Sequence, residues 1–232
     1  VGSEMCIRDR DSYFYKIIAN RDEYHERPTS GMKWWSNNIV LAGRDEEAGG
    51  TWLGVSKKGK FGAITNLKEE TDIKYSNSRG SLVTEFLESQ ISAKSYLEAL
   101  EPNKDNFAGF NLIVGDKSGL FYLCNRLEGI FFISEGIHAL GNLTLNSSTE
   151  KIESIKSDFN QILHEGFAVD KGFHIMRKEY GNLHEKTKKE LQVRDGEEIP
   201  FRFIRSPIYG TRSVSYTHLR AHETDSYLVC RL

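Results

Sequence analysis

The spacing of apolar and polar positions divides the chain into alternating strand-like and helix-like stretches. Residues 13–20 are aromatic and β-branched and end in a polar cluster, which predicts a strand running into a turn. Residues 27–31 predict a loop, because Pro28 holds Arg27 in an extended conformation. A short strand is expected at 39–42, followed by a polar, glycine-ended loop at 44–50. Residues 51–56 and 61–65 read as two strands joined by the tight turn Lys57-Lys58-Gly59-Lys60. The period then changes. Leu82, Val83, Phe86 and Leu87 share one helical face within 78–87, and a second helix over 96–100 stops at Pro102.

Strand signals return at 110–114, 120–124, 130–133 and 137–140, with turn residues at regular intervals, which predicts an antiparallel meander. Ile152, Ile155, Phe159, Ile162 and Leu163 recur at helical spacing over 149–163, and Ser148 or Thr149 is the expected cap. Residues 171–190 read as a mostly solvent-facing helix whose 186–189 charge run is a solvated face. Residues 201–204 predict a strand leading to Tyr209-Gly210-Thr211-Arg212. Strands, helices, strands and helices without an intervening linker predict one α+β domain, with helices packed on an antiparallel sheet system.

Composition narrows the function classes. The 232 residues are 38% hydrophobic and 28% charged, as in an ordinary folded domain, and the net charge of -2 gives no pull toward nucleic acid or an anionic membrane. Three cysteines are too few for a disulfide framework, so a reducing, cytoplasmic setting is expected. No apolar run approaches the roughly 20 residues of a spanning helix. Residues 1–10 and 214–232 lack a usable period and resemble terminal peptides found on unrelated environmental sequences. They read as a non-native leader and tail, or else as disordered ends, and are expected to add little to the core. The informative domain is then 11–213, without Cys6 and Cys230.

Ala19-Asn20-Arg21-Asp22-Glu23, followed by Arg27-Pro28-Thr29, gives the chain its resemblance to the NRDE family, also called the transport-and-Golgi-organisation-2 family. Matches continue in order at Trp35, Gly43-Arg44-Asp45, Gly49-Gly50-Thr51-Trp52-Leu53-Gly54, Ala63-Ile64-Thr65-Asn66, Ser78-Arg79-Gly80, Gly109-Phe110-Asn111-Leu112, Gly141-Asn142 and Tyr209-Gly210-Thr211-Arg212. The family is distantly similar to the cysteine N-terminal-nucleophile hydrolases, the group of penicillin V acylase and bile-salt hydrolase. That similarity implies a four-layer αββα sandwich, here truncated at both ends. It also implies catalytic roles for Asp22, Asn66 and Asn142, with Asn20, Arg21, Glu23, Arg44, Trp52, Arg79 and Arg212 around the substrate.

The chemistry suits those residue types. An N-terminal cysteine carries a thiol and an α-amine with pKa near 8, so nucleophile and base share one residue. A carboxylate such as Asp22 can hold the amine, and amides at Asn66 and Asn142 can donate to the developing oxyanion. The chain departs from this pattern at its start. Met5-Cys6 lies inside the suspect leader, Ile7-Arg8-Asp9-Arg10 is too charged for a buried first strand, and Cys6 is close in sequence to Asn20. The chain as written is therefore expected to be inactive.

Plainer readings stand beside these. Asp22 and Glu23 can cap a turn, and Arg21 can pair with Asp45 or Glu46. Gly49-Gly50 can be a turn requiring positive φ, and Asn66 and Asn142 can be left-handed turn residues. Trp34, Trp35 and Trp52 can be packing residues, His25 an exposed loop residue and Cys124 an inert buried thiol. No metal motif, phosphate-cradling loop or serine-nucleophile elbow is present, and no cofactor is expected for a hydrolase. Two functions remain open, with a retired scaffold behind them. One is hydrolysis of a small-molecule acyl amide or another non-peptide C–N bond. The other is non-catalytic carriage of haem or a lipid cofactor, which the family's eukaryotic members imply. Under the hydrolase reading Asn20, Asp22, Asn66 and Asn142 should converge on one cleft.

Overall fold

The structure is a computed structural model that describes residues 3–9, 15–24, 27–67, 75, 77–176 and 212–216. Two antiparallel sheets pack face to face, with helices on both outer faces. The four-stranded sheet has the order β10-β1-β2-β11, formed by Ile137–Leu140, Ser3–Asp9, Tyr15–Tyr24 and Arg212–Tyr216. The seven-stranded sheet runs in sequence order from β3 to β9: Thr29–Trp34, Val40–Asp45, Leu53–Ser56, Phe61–Asn66, Phe110–Asp116, Gly119–Cys124 and Phe131–Ile133.

Period-two alternation in the central strands builds two cores at once. In β7 and β8, Phe110, Leu112, Val114, Phe121 and Leu123 face α1 (Arg79–Glu88) and α2 (Ala93–Leu100). Ile113, Leu120, Tyr122 and Cys124 face the other sheet, where they meet Met5, Ile7 and Leu140. A third core lies under α3 (Glu150–His164) and α4 (Val169–Met176), where Ile152, Ile155, Phe159 and Ile175 cover Ile18 and Ala139. The layers are therefore α, β, β, α, as the family resemblance implied. Among the described residues no helix is long and apolar enough to cross a membrane.

Local signals set most element ends. Thr149 caps α3 by accepting from the Ile152 amide, resolving the choice between Ser148 and Thr149. Lys60 closes the other end of α1. Its buried ammonium donates to the carbonyls of Phe86, Ser89 and Ile91 and lies 4.5 Å from the Phe86 ring centroid. Pro102 stops α2 by turning the chain into a 3-10 helix, Glu101–Asn106.

Several expectations need correction. The stretch 3–9 is a strand paired on both sides, with Met5 and Ile7 only 1% and 2% exposed, so this part of residues 1–10 does contribute to the core. Its apolar alternation is only two residues long and sits among charges. Residues 214–216 likewise continue β11, opposite Asp22, Arg21 and Asn20. No turn follows Asn20, because β1 and β11 flank β2 and hold Asn20-Arg21-Asp22-Glu23 in the strand. Thr29 already begins β3 rather than closing a loop. The predicted meander holds from β7 to β9, but β10 leaves it and pairs with β1 in the other sheet. The strand expected at 201–204 and the helix beyond Met176 fall outside the described residues.

Candidate functional site

The motifs scattered through the sequence gather at one end of the sandwich. Antiparallel pairing puts the start of β5, preceded by Trp52, beside the end of β6 at Asn66, and Asn66 beside the start of β7 at Phe110. The end of β4, at Arg44 and Asp45, lies at this same end. So does the first residue of α1, because Gly50 and Gly80 meet backbone to backbone and the Thr51 amide donates to the Gly80 carbonyl at 3.3 Å. In the four-stranded sheet, Leu140, Met5 and Ala19 form one row across β10, β1 and β2. Gly141 and Asn142 continue beyond that row on one side, and Asn20 and Arg21 on the other. At the row of Leu140, Met5 and Ala19 the strands that carry these segments are two spacings apart, about 10 Å.

Asn66 and Asn142 are joined directly. The Asn142 side-chain amide donates to the Asn66 carbonyl at 2.9 Å. Neither residue has positive φ; among the described non-glycine residues that conformation belongs to Asn38 and Asn146, so the left-handed turn reading does not hold for the predicted pair. Arg79 joins the same place from α1. Its Nη1 donates to the Gly109 carbonyl at 2.9 Å, which also accepts from the amide of Leu67, the residue after Asn66.

Arg44 is at the right end but on the other face. Its guanidinium stacks 5.0 Å from the Trp35 ring centroid on the helix side of β4, because Val40, Ala42 and Arg44 alternate onto that face. Trp52 is half-buried and touches both the helix-side and the inter-sheet core. Trp35 is buried, whereas Trp34 is exposed on β3 with the Lys57 ammonium 4.9 Å from its ring centroid. Asn20, Arg21, Asp22, Glu23 and Arg212 are placed by their strands alone; their side chains lie outside the described residues.

Asp45 pairs with Arg27, with 2.8 Å from Arg27 Nε to the carboxylate. Burial by itself would raise the Asp45 pKa. The Ala48 amide, the hydrogen bond and charge of Arg27, and the Glu47 amide outweigh it and hold the carboxyl below its ordinary value. This ion pair pins the β4–β5 turn, where Gly49 has φ of 74°.

Sequence reasoning missed a buried polar group directly behind the two asparagines. Thr65, Asn111 and Tyr122 stand on adjacent strands β6, β7 and β8, all on the inter-sheet face. The available signal was an asparagine and a tyrosine at positions where alternation demands apolar residues. Burial, and after it the neighbouring Cys124, push the Tyr122 phenol well above its ordinary pKa, so it remains a neutral donor.

A separate cleft of about 570 Å³ opens between α3 and α4, with Asp158, Glu165, Asp170 and Lys171 at its walls. It belongs to the outer helix layer and contains none of the predicted site residues. His138 is also engaged elsewhere: its ring nitrogens lie 2.9 Å from the Ser134 carbonyl and 2.9 Å from the Asn146 amide. Cys124 is a buried free thiol, as expected.

Comparison with known proteins agrees with this architecture. In the solved structures, a Caenorhabditis elegans N-acylethanolamine-hydrolyzing acid amidase ortholog superposes with a TM-score of 0.51 at 12% identity, covering 76% of this chain and 86% of that one. At that identity the likeness concerns the fold, which is the αββα sandwich of the N-terminal-nucleophile hydrolases. The mouse Transport and Golgi organization 2 homolog is 34% identical over 172 residues, 70% of this chain and 62% of the relative. The bovine homolog is 35% identical over 167 residues, 68% and 60% of the two chains. The chain thus spans about three-fifths of the length of the curated relatives it matches. The family model described as Transport and Golgi organisation 2 matches residues 5–227, and the chain belongs to that family.

Proposed function

We propose that the intact protein is a hydrolase of small-molecule acyl amides that uses an N-terminal cysteine, and that the Asn66–Asn142 pair lies beside its reacting carbonyl. The observation carrying this reading is the 2.9 Å contact between two asparagines from different sheets, at the end of the sandwich where Asn20-Arg21-Asp22 also runs. The bond to the Asn66 carbonyl fixes the plane of the Asn142 side-chain amide. Amides fixed in this way suit a developing oxyanion, where a donor is worth roughly 3–4 kcal/mol.

In the proposed reaction the α-amine takes the thiol proton and the thiolate attacks the amide carbon. The amine then gives the proton to the leaving nitrogen as the C–N bond breaks. Water hydrolyses the resulting thioester and regenerates the thiol. Asp22 holds the ammonium form, while Arg79 and Trp52 flank the entrance. The amidase of similar fold is named for N-acylethanolamines, which makes these the first substrates to try.

In the chain as given, Cys6 lies inside β1, opposite Ile18 and Ala139, and its nitrogen is a peptide amide without basicity. The test compares this chain with a version beginning Met-Cys ahead of an apolar first strand, using a panel of N-acyl amides. After methionine removal the second version should turn over, faster by on the order of 10²–10⁴-fold, the general-base share. Equal turnover by both defeats the mechanism. Inactivity of both, together with tight binding of haem or lipid, selects the carrier function instead.

A further inference from the structure

We propose that Asn111, acting with Thr65 and Tyr122, is a positioning residue: the three side chains clamp the segment 141–145 and so fix Asn142 against Asn66. This rests on the proposed role of Asn142, but its structural part can be tested without any assay of activity.

The argument starts from where the backbone groups of this segment go. The chain leaves β10 at Leu140, and residues 141–145 belong to no strand. Their polar groups therefore need other partners. Thr65 Oγ1 donates to the Gly141 carbonyl at 3.0 Å. Asn111 Nδ2 donates to the Leu143 carbonyl at 2.9 Å. The Leu145 amide donates to the Tyr122 hydroxyl at 3.3 Å. Asn146 closes the segment, its amide donating to the Ala139 carbonyl at 2.8 Å while its side-chain oxygen accepts from the Ala139 amide at 3.0 Å.

The three clamping side chains are also bonded to one another. Tyr122 OH donates to Asn111 Oδ1 at 2.7 Å, and Asn111 Nδ2 donates to Thr65 Oγ1 at 3.2 Å. Hydrogen counting then gives one consistent direction. The Tyr122 proton goes to Asn111, the two Asn111 amide protons go to Thr65 and Leu143, and the Thr65 proton goes to Gly141. No donor in this group is left over for a substrate. Asn111, Thr65 and Tyr122 are 0%, 2% and 3% exposed, so they are shut away from any ligand as well. The outputs of the network are backbone atoms on either side of Asn142.

A purely apolar core would fill the same space between the sheets. Valine, leucine and phenylalanine at these positions would keep the packing and leave the Gly141 and Leu143 carbonyls and the Leu145 amide without these partners. A buried network of this kind specifies one loop conformation, because any shift of the loop breaks several bonds together.

The test compares the full chain with Thr65→Val, Thr65→Ser, Asn111→Leu and Tyr122→Phe. Two readouts are used: amide hydrogen exchange over 141–146 against that of β7, and the NMR signals of the Asn142 side-chain amide. Valine keeps the threonine volume without the hydroxyl, whereas serine keeps the hydroxyl and loses a methyl. If the role were packing alone, valine would behave like the parent and serine would not. The clamp requires the reverse: roughly tenfold faster exchange over 141–146 in Thr65→Val, Asn111→Leu and Tyr122→Phe, with β7 unchanged, and parent-like exchange in Thr65→Ser. The Asn142 amide signals should move to solvent-exposed values in the first three variants only. Parent-like exchange in Thr65→Val and Asn111→Leu, in folded protein, overturns the proposal. A clamp confirmed by exchange, with no amide turnover by the version beginning Met-Cys, would instead count against the hydrolase reading alone.

Discussion

The side-chain amide of Asn142 lies 2.9 Å from the main-chain oxygen of Asn66, tying a segment that leaves the four-stranded sheet to the last residue of a strand in the other sheet. The two residues are 76 positions apart, so this bond is a long-range polar tie between the sheets at that end. Together with the Thr65 hydroxyl on the Gly141 carbonyl, it makes the junction between the sheets directional where the apolar core is not.

Replacing Asn142 tests that tie directly. In Asn142→Ala the Asn66 carbonyl loses its donor, and stability should fall by about 1–3 kcal/mol. Asn142→Asp keeps the shape but turns an acceptor toward an acceptor, so its loss should be at least as large. Urea unfolding of both variants against the parent measures this. An aspartate variant as stable as the parent would show that the contact carries no stability.

Much of this architecture can be read from residue order, and the failures have physical causes. Helical periods, the Thr149 cap and the Lys57–Lys60 turn are local signals, and local signals survive folding. The strand over Asn20-Arg21-Asp22-Glu23 is not local: nothing apolar alternates there, and it is extended because β1 and β11 pair with it. Lys60 looks like a solvated turn residue in sequence, but α1 ends above it and its carbonyls need a donor. The crossing of β10 into the second sheet leaves no mark in turn spacing, since a turn within a sheet and a turn between sheets use the same residues. Asn66 and Asn142 were recognised through family motifs, whereas Asn111 stood in one of those motifs without a role, because burial is what gives it one.

The Arg27–Asp45 pair predicts a dependence on pH. The folded carboxyl titrates below its ordinary value of 3.8. Its contribution to stability is therefore complete above that value and is lost as pH falls through the folded pKa. Arg27→Gln should cost about 1 kcal/mol near neutral pH, since the pair is only partly shielded from solvent. The difference from the parent should shrink at acid pH, below the folded pKa, where Asp45 is protonated in both. Denaturant titrations at the two pH values measure it, and a gap that widens on acidification would reverse the assigned sign.

Adjacent glycines should respond differently to the same substitution. Gly49 has φ of 74° and open space around a would-be Cβ, so Gly49→Ala meets only backbone strain, roughly 1–2 kcal/mol. At Gly50 a Cβ would lie 2.6 Å from the Gly80 carbonyl carbon, 2.8 Å from its oxygen and 3.0 Å from the Ser81 nitrogen. These are backbone atoms of the first turn of α1 and cannot rotate aside, so Gly50→Ala has to push the helix start outward. Overpacking typically costs 1–3 kcal/mol, and the rigidity of this contact puts the variant at or beyond the upper end. The displacement should also reach the site, because Arg79 in that turn donates to the Gly109 carbonyl shared with Leu67. Thermal unfolding should rank Gly50→Ala well below Gly49→Ala. Hydrogen exchange should accelerate at Leu67 and the first turn of α1 in Gly50→Ala alone. Equal melting points with unchanged exchange at Leu67 would mean that the backbone contact between Gly50 and Gly80 does not hold the helix start in place.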